Sequence, residues 1–148
     1  MTKFVAAAIV AVLLFSGTGL QASDAMKGII ASYMDIHAHL FTDKMDGVKP
    51  AAAAIAVQAS SMGAGGAAMA AAAKRMEAAA DLKAARDAFG ALSDAVIAAG
   101  KAEGWKDVPD VKVAYCPMVN KSWLQKDGSI RNPYYGPAMP TCGEFKKP

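Results

Sequence analysis

Leu82-Lys83-Ala84-Ala85-Arg86-Asp87-Ala88-Phe89-Gly90-Ala91-Leu92-Ser93-Asp94-Ala95-Val96 carries the clearest helical period in the chain. Leu82, Ala85, Phe89, Leu92 and Val96 recur at intervals of three and four, which sets them along one face of an α-helix. The spacing predicts a helix over 81–99, with Gly100 placed to end it. A single apolar stripe needs partners, so further helices are expected to pack against it.

The same period appears upstream. Ile29, Tyr33, Ile36 and Leu40 line one face of a helix expected over 24–43, with Asp24 as its N-cap. Asp43 to Gly47 reads as a break. Asp46 is placed to cap the next helix, and Pro50 is tolerated in a first turn. Residues 51–60 continue that helix. The glycines at 63, 65 and 66 should interrupt or end it, because each costs about 1 kcal/mol against alanine in a helix. Ala67 to Ala80 is then strongly helix-prone. These segments predict a mostly α fold, an antiparallel three- or four-helix bundle over 23–104.

After Gly104 the composition changes. Six of the seven prolines, both cysteines and both tryptophans fall between residues 105 and 148. Val111 to Tyr115 alternates like a short strand. Lys126-Asp127-Gly128-Ser129 and Asn132-Pro133-Tyr134-Tyr135-Gly136 read as turns. The expectation is an irregular C-terminal segment with one short strand, packed on the helices within one domain spanning 23–148.

The opposite end has the order of a secretory signal over residues 1–22. Lys3 is followed by an apolar run from Phe4 to Phe15 and then by small residues, with cleavage expected after Ala22 or, second, Ala25. The run is shorter than the roughly 20 residues of a membrane span. This predicts export to the periplasm with no stable membrane insertion after cleavage. A net charge of +3 over the 148 residues is too small to argue for nucleic acid as a partner.

Two clusters carry distinctive chemistry, Cys116-Pro117-Met118 and Met139-Pro140-Thr141-Cys142. In an extended segment residues two apart share a side, so Cys116 and Met118 would face one centre. Met139 and Cys142 would do the same across a turn. Thiolates and thioethers select soft ions, above all Cu(I). The other reading is a Cys116–Cys142 disulfide, as expected of two cysteines in an oxidising compartment, with Met118 and Met139 as gap-filling core residues. A thiol redox enzyme would need one reactive, low-pKa cysteine.

The remaining candidates are plainer. His37 and His39 lie about 200° apart on a helix and cannot share one ion from it. Met26, Met34, Met45, Met62, Met69 and Met76 read as packing residues. Asn132 is expected to hold a turn through its side chain. No nucleophile elbow, metalloprotease motif or phosphate loop is present, so no enzyme activity is expected.

Tyr115-Cys116-Pro117-Met118, Trp123-Leu124, the run from Ile130 to Gly136, Met139 and Cys142-Gly143 together resemble the bacterial domain-of-unknown-function family 3347. Arg86 to Ala95 resembles the last helix of that family. Its members stand alone as exported proteins or are joined to periplasmic adaptors of copper and silver efflux systems. The resemblance implies metal handling, with Cu(I) or a similar ion as ligand and an efflux adaptor or other envelope protein as partner. It puts Cys116, Met118, Met139 and Cys142 forward as ligands. Independently of the resemblance, Pro117, Trp123, Asn132, Pro133, Tyr134 and Gly136 are expected to position these ligands. This chain departs from the pattern in a shorter spacer between Met118 and Trp123.

Overall fold

The computed structural model describes residues 18–103 and 110–146. Most of the expected signal segment, and the expected boundary at 104/105, lie outside those residues. Four α-helices come first: α1 Thr18–Phe41, α2 Val48–Ser61, α3 Ala67–Glu77 and α4 Leu82–Glu103. Three strands follow, β1 Val111–Cys116, β2 Lys121–Lys126 and β3 Glu144–Phe145, in an antiparallel sheet of order β2-β1-β3.

The helical stripes are where the periodicity puts them. Ile29, Tyr33, Ile36 and Leu40 are fully buried, as are Ala85, Phe89, Leu92 and Val96, while Leu82 is half-buried against the core. Tyr33 stacks on Phe89 with ring centroids 4.8 Å apart. Each of α1, α2 and α3 packs against the next helix in sequence, and α4 also packs against β2. Between α2 and α3 the glycine run forms one short 3-10 turn, Gly63–Gly66. A Cβ on Gly66 would sit 1.7 Å from the Ala59 carbonyl oxygen, so the two alanine-rich helices meet at a spacing only glycine permits.

Several helix ends differ from expectation. Asp24 lies inside α1, because the alanine, glutamine and serine before it continue the helix. Gly47, with no side-chain cap, precedes α2, and Asp46 pairs instead with His39 Nδ1 at 3.4 Å. Gly100 lies within α4. The start of α4 has a side-chain cap that was not foreseen: the Ala84 N–H donates to Asp81 Oδ1 at 2.8 Å.

The larger correction concerns the C-terminal segment, which holds three strands rather than one. Lys121 to Lys126 pairs with β1 from Cys116↔Lys121 to Val111↔Lys126. This strand gave no alternation signal because Trp123, Leu124 and Gln125 are buried in succession. Pro117 to Asn120 form the turn of this hairpin, closed by Asn120 at φ 51°.

Candidate functional site: a cysteine pair at the edge of the sheet

β1 delivers Cys116, fully buried, to the mouth of the hairpin. Cys142 arrives 26 positions later on the loop before β3, half-buried, with its Sγ 3.1 Å from Cys116 Sγ. Both are free thiols. The two residues that the metal and disulfide readings both bring together therefore meet.

The loop carrying Cys142 is held by polar side chains. Asn132 is fully buried. Its Oδ1 accepts from the Tyr134 N–H at 2.8 Å and the Tyr135 N–H at 3.3 Å. Its amide donates to the Cys142 carbonyl at 2.7 Å, and its own N–H donates to the Pro140 carbonyl at 2.8 Å. One side chain thus closes the turn, as expected, and also ties it to the thiol loop. Arg86, on α4, donates to the Pro133 carbonyl at 2.8 Å, to the Leu40 carbonyl at 2.9 Å and to Asp43. Gly136, at φ 55°, sits against that guanidinium, where a Cβ would lie 2.5 Å from both Arg86 Nη2 and Asp43 Oδ1. Tyr134 donates to the Ser122 carbonyl at 2.7 Å and packs edge-on to Trp123, 5.9 Å between ring centroids. Trp123 in turn donates to Gln125 Oε1 at 3.0 Å. Pro133 is buried and Pro117 exposed at the turn.

Sequence reasoning missed Arg86 and Gln125 as organisers of this loop. Gln125, only 3 % exposed, also accepts from the Arg131 N–H and donates to the Lys126 and Ser129 carbonyls. A buried glutamine has no sequence signature, because its partners are backbone atoms that the fold supplies.

The electrostatics of the pair are unequal. Burial by itself pushes the Cys116 thiol up. Hydrogen bonds to its sulfur from Cys142, from the Val119 and Met118 amides and from Asn132 outweigh this and bring it below the usual thiol range. Cys142 is pushed up, first by its hydrogen bond with Cys116 and then by burial. The better thiolate is thus the sulfur that solvent does not reach. That arrangement suits chelation or a stable disulfide, and it suits attack on an outside disulfide poorly.

The methionines do not follow the core reading. Met118 is 63 % exposed, and Met139 is half-buried and outside the apolar core. The alternation argument for Met118 fails because β1 ends at Cys116 and the chain turns. The Met139 carbonyl accepts from the Cys142 N–H at 3.3 Å. Among the described residues no group of three or more His, Cys, Asp or Glu side chains is placed to hold a metal ion. His37 is 5 % exposed and His39 half-exposed, which separates them as the helical geometry required. No described helix is long and apolar enough to cross a membrane.

No family model, curated protein or solved structure matches this chain. What can be said of its function rests on its own residues.

Proposed function

We propose that this protein is an exported soft-metal binder that carries Cu(I) in the periplasm as a chaperone, a buffer or an accessory to heavy-metal efflux. In this reading the helices form an antiparallel bundle that serves as a scaffold. Cys116 and Cys142 hold the ion as thiolates. Met139 and the exposed Met118 supply thioethers, and the partner that receives the ion is an efflux adaptor or another envelope protein. The observation that carries the proposal is the 3.1 Å approach of two thiols, each with a methionine close to it in sequence that the core does not use. Two thiolates on a tetrahedral ion at about 2.3 Å would stand about 3.8 Å apart, so the pair has to open by only about 0.7 Å.

A competition titration of the reduced, anaerobic protein with Cu(I) against a coloured chelator tests this, with the Cys116→Ser/Cys142→Ser double variant alongside. Tight one-to-one uptake that the variant loses, with its helical circular dichroism intact, is the expected result. Equal uptake by both proteins would refute the metal site.

The same 3.1 Å favours one other reading, a Cys116–Cys142 disulfide in a structural or partner-binding module of the cell envelope. Closing a loop of 26 positions would contribute about 3.5 kcal/mol in the chain-entropy model. Mass spectrometry of protein isolated from the periplasm, alkylated with and without prior reduction, separates the two. Thiols labelled without reduction support the metal reading, and protection until reduction supports the disulfide.

A further inference from the structure

A cleft of about 630 Å³ opens between α1 and the loop after β2; it borders Thr141 but neither cysteine. Its size lies within the range of small-molecule sites. Its apolar surface includes Met34, Phe41 and Ile130. Its polar groups divide into those already engaged and those left over. All of Gln125 is used by the backbone and by Trp123. The Asp127 carboxylate is taken by Lys112 at 2.8 Å and by the Gly128 N–H at 2.9 Å. His37 Nε2–H donates to the Arg131 carbonyl at 2.8 Å, which leaves Nδ1 as an acceptor.

What remains is cationic. Among the described residues, the head groups of Arg131 and Lys126 enter no ion pair and no hydrogen bond. The Arg131 guanidinium lies over the Phe41 ring, 4.4 Å from its centroid. A guanidinium held over an aromatic face has its fork of N–H donors restrained, which reduces the entropy lost when the fork is used. The fork matches the two oxygens of a carboxylate. Two unopposed cations also repel a metal ion, which separates this cleft in chemistry from the cysteine pair.

We propose that this cleft binds a small organic carboxylate, its charged end on Arg131 and Lys126 and its apolar body against Phe41, Met34 and Ile130. The proposal is independent of the metal reading.

The test is a titration of the ¹⁵N-labelled protein with benzoate, followed by amide chemical shifts, with benzyl alcohol and inorganic phosphate as comparisons. The expected result is saturable shifts confined to residues 34–41, 125–131 and 140–141, absent with benzyl alcohol and weaker with phosphate. Arg131→Gln should weaken binding by about tenfold or more, the equivalent of one charge-assisted hydrogen bond. Lys126→Gln, which changes only an exposed side chain, should weaken it by a smaller factor. Shifts spread over surface lysines in general would overturn the proposal. So would phosphate binding as tightly as benzoate, or both variants binding as well as the parent.

Discussion

The six methionines between residues 26 and 76 and the two beyond residue 117 have the same side chain and opposite surroundings. Met26, Met69 and Met76 are buried, and Met34, Met45 and Met62 pack half-buried on the core. Met118 and Met139 are outside it. The helical part is held by apolar burial, where a flexible thioether fills gaps between small alanines. The C-terminal segment buries Trp123, Leu124 and Tyr134 as well, but its loops are held by a few polar side chains, the buried Asn132 and Gln125 and the half-buried Arg86, each binding several backbone atoms. Burial is spread over many residues and tolerates small changes. A hydrogen-bond hub concentrates its effect in one residue. A segment secured in that way can leave apolar sulfur exposed, and the core of the helices cannot.

Truncating one methionine from each region should give opposite results. Met69→Ala removes a side chain that is 1 % exposed and should destabilise the protein by about 2–5 kcal/mol in urea unfolding. A loss below 1 kcal/mol would mean that the helical methionines are not core residues.

His37 tests the seam between the regions. Burial, the largest influence, lowers its pKa to about 4; the Arg131 carbonyl opposes this, and the nearby guanidinium adds to the lowering. The unfolded chain takes up a proton near pH 6.5, and the folded protein resists it until about pH 4. Stability from this group is therefore complete above pH 6.5 and is lost between about 6.5 and 4, by about 3 kcal/mol at most. His37→Gln should flatten that part of the pH–stability curve, and an unchanged slope would contradict the burial of the ring.

Asn132→Ala strips partners from the Tyr134 and Tyr135 N–H groups and from the Cys142 carbonyl. It should cost about 2–3 kcal/mol and also weaken Cu(I) competition, because Cys142 loses its anchor. Lost stability with unchanged affinity would show that the hub does not position the thiol.

Met118→Ala should change stability by no more than about 0.5 kcal/mol, since the side chain is 63 % exposed. Its Cu(I) affinity should nevertheless fall in the same competition assay. A stability loss matching that of Met69→Ala would erase the contrast between the two regions.

Much of the helical part was legible in advance, because burial on one face of a helix leaves a period of three and four in the sequence. Glycines, alanines and aspartates near helix ends were less informative. Asp24, Asp46 and Gly100 each suit a cap, but whether the chain stops there depends on the neighbouring residues and on what the helix packs against. β2 was illegible because three successive buried residues erase the alternation that marks a strand.

For the candidate site, sequence alone determined the inventory: two thiols, two thioethers and two prolines in two short clusters, after a long alanine-rich region with helical period. Composition and short-range spacing suffice for that, since both are properties of neighbours in the chain. Tertiary contacts were needed to bring sulfurs 26 positions apart to 3.1 Å from each other, to bury Cys116 and hold its thiol lower than that of Cys142, and to leave Met118 facing solvent. Those outcomes follow from the β1–β2 pairing and from the hydrogen bonds of Asn132 and Arg86, which join residues distant in sequence and leave no local pattern to read.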